Sequence, residues 1–176
     1  RDAQESRGLG DVYKRQDLKY LSRIKKLLYL IGLEGIAAPN ITQMASEIGT
    51  SRATVMNYIK DLEEARLVNL VYHEGDEFPK KPAQIMMHNT NLLYAIYARG
   101  MSEPEIMETF FTNSLWRHHT VNKGRRNGMY IVDGVEIHVC DKNKHVKTQA
   151  NSYCARYNTE VGHNNDIPLW LFGFLY

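Results

Sequence analysis

The sequence predicts an α+β protein, in which a winged helix-turn-helix unit is followed by a small α/β module. Residues 41–72 contain two stretches with the apolar spacing of helices and then one β-rich stretch. Residues 129–140 contain two more β-rich runs, separated by Asp133-Gly134, the dipeptide most typical of a two-residue hairpin turn. With 176 residues, of which 43% are hydrophobic, the chain can bury one good core or two small ones.

The N-terminal segment, residues 1–16, has no usable periodicity. It resembles the translated adapter sequence found at the broken ends of metagenomic assemblies. We therefore expect residues 1–16 to be non-native or disordered and exclude them from the fold. On this interpretation the natural protein begins upstream of Asp17, and this chain is its C-terminal fragment.

Residues 17–90 are predicted to form the first domain. A helix over Leu18–Leu33 backs two helices that meet at Gly49, the residue suited to a left-handed turn. Asn40 and Ser51 are placed to cap those two helices. Strands over 68–72 and 83–88 would then form the wing. The alternative is two ordinary helices packed in a bundle.

Some polar side chains of this domain are placed to contact DNA. On the second helix, and at the wing tip, they are Arg52, Thr54, Asn57, Lys60, Lys80 and Lys81. Acidic residues Asp61, Glu63 and Glu64 follow on the same helix and would repel a phosphate backbone. The net charge is only +2, so no broad basic surface indicates nucleic-acid binding, and DNA contact stays an open prediction.

Residues 91–176 are predicted to form the second, α/β domain. Helices over 91–97 and from the Ser102 cap to Leu115 or Trp116 are followed by the hairpin and a strand over 152–156. The apolar run 167–176 is too short to cross a bilayer and is predicted to be a closing core element. Two cysteines without a metal-ligand pattern indicate free thiols in a reducing compartment, so we expect a cytoplasmic protein without a membrane partner.

Three phrases of the sequence resemble a known family. They are KPAQIMMHNTNLLYAI at 81–96, METFFTNSL at 107–115 and IPLWLFGFLY at 167–176. Together they are similar to the C-terminal half of a large prokaryotic family of AAA-type ATP-binding proteins. The resemblance implies an N-terminal P-loop ATPase module, a winged helix, and a C-terminal domain of unknown function with a restriction-endonuclease-like fold.

The P-loop itself is missing from this chain, because no G-x-x-x-x-G-K-[ST] sequence occurs in it. We therefore expect no cofactor in this fragment. ATP and Mg²⁺ are expected only in the missing N-terminal module, which the resemblance implies as a partner.

The endonuclease-like domain can be tested against the chemistry of a PD-(D/E)xK site, in which carboxylates hold Mg²⁺ and a Lys activates water. Glu108 matches the helix acid of the family. Met129 stands where the resemblance leads us to expect Asp, and His138 stands where it leads us to expect the second acid. Lys142 and Lys144 match a family lysine cluster. With two acids lost, we predict no metal site and a catalytically degenerate domain.

The sequence thus predicts a DNA-binding or partner-binding regulatory fragment of an AAA-type protein, without catalysis of its own. One alternative is a metal-dependent nuclease with a rearranged site that uses Glu108, Asp133 or Glu136. Another is a winged-helix transcriptional regulator.

Overall fold

The computed structural model describes the backbone of residues 2–97, 100–146 and 151–175, and the side chains from residue 18 onward within these ranges. The chain is a mixed α+β protein with two separate sheets, as the sequence predicted. No helix among the described residues is both long enough and apolar enough to cross a membrane.

The first half contains four helices and a two-stranded sheet. Their bounds are α1 Asp2–Glu34, α2 Ile41–Ile48, α3 Arg52–Glu64, β1 Val68–Val71, β2 Gln84–Met87 and α4 Thr90–Ile96. Asn40 and Ser51 cap α2 and α3 as predicted, each accepting a hydrogen bond from a backbone N–H three residues later. Gly49 ends α2 with φ of 65°, the left-handed conformation that lets α3 begin three residues further on.

Helix α1 is longer than predicted, since it begins at Asp2 instead of Leu18. The backbone of residues 2–16 is therefore helical, although the sequence indicated a segment to be excluded from the fold. The side chains of that segment lie outside the described residues, and its foreign origin stays a prediction.

The first core lies between α1, α2, α3 and the two-stranded sheet. Val68 pairs with Met87 in the antiparallel β1–β2 ladder, which places both in this core. Leu27 and Ile31 of α1 are buried against them. Leu93 of α4 is buried here as well, so packing assigns α4 to the first half, although the sequence placed it at the start of the second domain.

The second half contains one long helix on a five-stranded sheet. Its elements are α5 Glu103–Leu115, β3 Val121–Lys123, β4 Met129–Val132, β5 Val135–Asp141, β6 Ser152–Tyr157, β7 Asp166–Pro168 and a terminal 3₁₀ helix, Leu169–Leu175. The strands lie in sequence order. β3, β4 and β5 pair antiparallel, whereas β6 and β7 are added in parallel. Phe111 and Leu115 of α5 pack on one face of this sheet.

The hairpin between β4 and β5 has the predicted turn. Asp133 and Gly134 both have positive φ, 49° and 83°, as a two-residue turn of this kind requires. β3 and β7, which have only three residues each, were not predicted from the sequence.

The terminal apolar run is only partly the closing core element that the sequence predicted. Leu169 and Phe172 are buried under α5, but Trp170 and Phe174 are 51% and 79% exposed. A short 3₁₀ helix has one side against the core, so a run that is apolar on all sides leaves aromatic rings in solvent.

The N-terminus of α5 has a capping box that can be tested by substitution. Ser102 Oγ accepts from Glu105 N at 3.4 Å, and Glu105 Oε2 accepts from Ser102 N at 2.6 Å, which forms a capping box. We expect Ser102→Ala to lower the free energy of unfolding by about 1 kcal/mol, because the Glu105 N–H at the helix end loses its side-chain acceptor. Chemical denaturation measures this change in the free energy of unfolding. Ser46→Ala, inside the exposed face of α2, is the control and should change stability by less than about 0.5 kcal/mol. Equal effects of both changes would contradict the role of the box.

Candidate functional site

Glu108 lies in the middle of α5 and is the centre of a buried polar cluster. Its side chain is only 3% exposed. The Tyr130 hydroxyl donates a hydrogen bond to Glu108 Oε2 at 2.5 Å. The Lys123 ammonium stands 3.7 Å from the same oxygen. A buried carboxylate is stable only when paired and hydrogen-bonded, and these two groups supply both conditions.

The cluster extends into the first half of the chain through Gln84 of β2. The Tyr130 hydroxyl also lies 3.0 Å from Gln84 Oε1, and Gln84 Nε2 donates to the Ile36 carbonyl at 2.6 Å. Burial raises the pKa of Tyr130 well above its usual value, and the nearby Glu108 carboxylate raises it further. The hydroxyl therefore stays protonated and donates its one proton to Glu108, while Gln84 Oε1 of the first half stands 3.0 Å from the same oxygen. We call Gln84, Glu108, Lys123 and Tyr130 the junction cluster.

A cleft of about 590 Å³ opens above the junction cluster, between the end of α1, the start of α5 and the sheet. Its walls include apolar groups of Ile36, Pro104, Val139 and Tyr157. Carboxylates at its rim come from Glu34, Glu105 and Asp141. More than half of the residues that line the cleft are polar or charged, so it is a polar cleft with apolar patches.

Met129 and His138 do not share this cleft with Glu108. They are paired across β4 and β5, while their neighbours Tyr130 and Val139 pack toward α5. Because successive side chains of a strand point to opposite faces, Met129 and His138 lie on the face away from α5. The expectation that Glu108, Met129 and His138 mark one site is therefore wrong. Even carboxylates at 129 and 138 would be separated from Glu108 by the sheet.

Asp133 and Glu136, the two substitute acids, are bound elsewhere. Asp133 accepts from Thr120 N at 2.9 Å and lies 2.6 Å from His119 Nδ1. The hydrogen bond with His119 lowers the pKa of Asp133. Glu136 Oε1 lies 2.7 Å from His138 Nε2. Neither acid lines the cleft that contains Glu108. Within the described part of the chain, no three His, Cys, Asp or Glu side chains are grouped so that they could hold a metal ion.

Most of the side chains predicted to contact DNA already have partners. Lys60 pairs with Glu63 at 2.7 Å, and Lys80 pairs with Asp76 at 2.6 Å. The hydrogen bond to Glu63 raises the pKa of Lys60. Lys81 is not at a wing tip, because it donates to the Pro39 carbonyl at 3.2 Å and so folds back on the first half.

The outward stripe of α3 carries more acid than base. At 3.6 residues per turn, the residues opposite the buried Val55, Ile59 and Leu62 are Ala53, Asn57, Lys60, Asp61 and Glu64. Asp61 also accepts from the Tyr20 hydroxyl of α1 at 3.1 Å. Arg52 and Asn57 are exposed, and Thr54 Oγ1 lies 2.9 Å from the capping Ser51 hydroxyl. Of the six predicted DNA-contacting residues, only Arg52 and Asn57 are exposed without a side-chain contact of this kind.

Three members of the junction cluster were not predicted from the sequence: Gln84, Lys123 and Tyr130. Gln84 and Tyr130 are 46 residues apart, so no local spacing connects them. Lys123 ends β3, which is too short to give a strand pattern. Asp141 and Lys144 also line the cleft; Lys144 had been singled out by the family lysine cluster, and Asp141 had not.

Comparison with known proteins gives this chain no relative. No protein-family profile matches it, and neither a curated protein nor a solved structure is significantly similar to it.

The hydrogen bond between Tyr130 and Glu108 can be tested directly. Tyr130→Phe keeps the ring but removes the donor, so the buried carboxylate keeps only the longer contact to Lys123. We expect the free energy of unfolding to fall by about 1–3 kcal/mol. Denaturant titration measures this free energy of unfolding. Tyr94→Phe is the matched control, because Tyr94 is 49% exposed, and it should be close to neutral. A Tyr130→Phe protein as stable as the parent would contradict the proposed importance of this bond.

Proposed function

We propose that this chain is a non-catalytic binding and regulatory module of an AAA-type ATP-binding protein. In this proposal residues 17–97 are a winged helix, and the following residues are a degenerate restriction-endonuclease-like domain. The three family-like phrases support it, as do the capped α2–α3 pair with its two-stranded sheet and the packing of α5 on a mixed sheet. The partner is the ATPase module, which would hold ATP and Mg²⁺.

One observation carries the non-catalytic part of this proposal: Glu108 is the only carboxylate of the predicted nuclease set that lies in the cleft. Mg²⁺ prefers octahedral oxygen coordination and is held in nuclease-type sites by carboxylates with waters and substrate phosphates. Glu108 is occupied by Tyr130 and Lys123, and Lys123 is a cation that opposes a second positive charge there. The rearranged nuclease has no geometric support, since Asp133 and Glu136 are bound to other groups.

The binding part of the proposal favours a protein partner over duplex DNA. Asp61 and Glu64 lie on the outward stripe of α3, and Lys60 is paired with Glu63. Specific and non-specific DNA binding both depend on cations that neutralise phosphates. Arg52 and Asn57 are the exposed residues that favour the DNA-binding alternative, a winged-helix regulator.

Nuclease activity is the first test of this function. We expect the purified chain to give no products from single-stranded or double-stranded DNA or RNA with Mg²⁺, Mn²⁺ or Zn²⁺, because Glu108 is the one acid of the predicted nuclease set in the cleft and it is already held by Tyr130 and Lys123. Gel analysis of labelled substrates detects any cleavage products. Cleavage that disappears in Glu108→Gln would sink the non-catalytic proposal. Cleavage that survives Glu108→Gln would reveal either a different site or a contaminating enzyme.

DNA binding is the second test. If α3 contacts duplex, Arg52→Ala with Lys60→Ala should weaken binding and reduce the log–log salt slope by about 0.9 for each lost phosphate contact. Fluorescence anisotropy at several salt concentrations measures both. Lys19→Ala with Lys25→Ala removes the same charge from the exposed side of α1 and is the control. We expect no affinity for duplex near physiological salt. Tight binding that depends on Arg52 and Lys60 but not on the control pair would establish the DNA-binding alternative.

A further inference from the structure

Lys123 is an unusual member of the junction cluster because its ammonium has no hydrogen-bond acceptor. Its side chain is 10% exposed, and Nζ makes no hydrogen bond to any described residue. The nearest anion, Glu108 Oε2, is 3.7 Å away. The Tyr130 ring lies under the ammonium at 4.3 Å, which gives a cation–π contact but no acceptor.

An ammonium in this position is costly to bury. It carries three N–H donors, and each donor that is removed from water without an acceptor destabilises the folded chain. Burial accordingly lowers the pKa of Lys123, although Glu108 opposes the shift. A ligand oxygen with negative charge would supply the missing acceptor and favour the protonated amine.

Lys123 lines the cleft of about 590 Å³, and carboxylates lie at the rim of the same cleft. Asp141 is the clearest rim anion. Its carboxylate accepts from Asn143 N at 2.9 Å and from Asn158 Nδ2 at 3.0 Å. The Asn143 N–H lowers the pKa of Asp141, followed by the Asn158 amide, so this acid stays ionised. Glu105 and Glu34 add further carboxylates at the rim.

We propose that this cleft binds a small dipolar ligand, with a carboxylate accepting from Lys123 and an ammonium group facing Asp141 at the rim. The class is that of small amino-carboxylates, including amino acids. This inference goes beyond the proposed binding of the ATPase module and needs neither DNA nor a metal ion.

The charges of the cleft explain why both ends of the ligand are needed. The lining includes four carboxylates, from Glu34, Glu105, Glu108 and Asp141, and two lysines, Lys123 and Lys144. A simple anion would meet an excess of negative charge on its way to Lys123. A simple cation would be held at the rim and would leave the Lys123 donors without an acceptor. A dipolar ligand satisfies both ends, and the apolar walls at Ile36 and Val139 suit a short hydrocarbon spacer.

A series of unbranched amino acids of increasing length can serve as the probe: glycine, β-alanine, 4-aminobutanoate and 6-aminohexanoate. Saturation-transfer NMR and calorimetry with the whole chain would measure each dissociation constant. The matched carboxylates and amines without the second charge serve as ligand controls. We expect one member of the series to bind at least about tenfold more tightly than its matched carboxylate and its matched amine.

Substitutions of Lys123 and Asp141 test which residue binds each end of the ligand. Lys123→Met should weaken that ligand by about tenfold or more, because a charge-assisted hydrogen bond is lost, while Lys19→Met on the exposed side of α1, away from the cleft, should have no effect. Asp141→Asn should weaken the dipolar ligand several-fold and leave its matched carboxylate unchanged or improved. If Lys123→Met does not fold, the proposal is still tested by comparing how tightly Asp141→Asn and the parent bind the dipolar ligand and its matched carboxylate.

Three outcomes would overturn the proposal. If no member of the series binds, water alone satisfies Lys123. If the amines bind as tightly as the amino acids, the rim is a simple acidic surface. If Lys123→Met leaves binding unchanged, the ligand binds elsewhere. None of these outcomes bears on nuclease activity or on the ATPase partner, so the proposed function is tested separately.

Discussion

The structure depends on one buried hydrogen-bonded contact, that of the Tyr130 hydroxyl with Glu108. This contact holds α5 on the five-stranded sheet at a polar position in an otherwise apolar interface. Through Gln84 it also reaches β2, so the two halves of the chain share a polar link as well as apolar packing. Charged groups are costly inside proteins unless they are paired and hydrogen-bonded. The cluster is thus the polar contact at which the two halves meet.

The same contact determines what the second half can do. A carboxylate that is already bound to a hydroxyl and faced by an ammonium is a poor ligand for a hard cation. The alternation of side chains along β4 and β5 then separates Glu108 from the positions on the other face. A nuclease site would need its acids on one side of the sheet. Here the polar groups on the two faces form independent pairs.

Sequence reasoning identified the elements whose signals are local. The caps at Asn40, Ser51 and Ser102 and the turn at Asp133-Gly134 were predictable, because each depends on neighbouring residues. β1 and β2 were predicted from their own β-rich runs, although residues 72–83 separate them. The junction cluster was not predictable, since its members come from β2, α5, β3 and β4 and meet only after the sheet has formed. Glu108 was singled out, but its partners were not. The resemblance suggested which positions to compare, and it carried no information about the face on which each side chain lies.

The strand order of the second half has a consequence for how the chain folds. The β4–β5 hairpin closes a two-residue turn, whereas β1 and β2 are joined by residues 72–83, and the parallel β5–β6 pair, with Glu136 beside Ser152, is joined by residues 142–151. Longer loops cost more entropy before their contacts form, so the β4–β5 hairpin can form before either of these two pairs. The α2–α3 pair and the hairpin can form early, and the contact between Gln84 and Tyr130, 46 residues apart, can close only when both halves are nearly complete. Protection of the Tyr130 amide from hydrogen exchange during refolding would thus report the hairpin, while burial of its hydroxyl would mark the end of assembly.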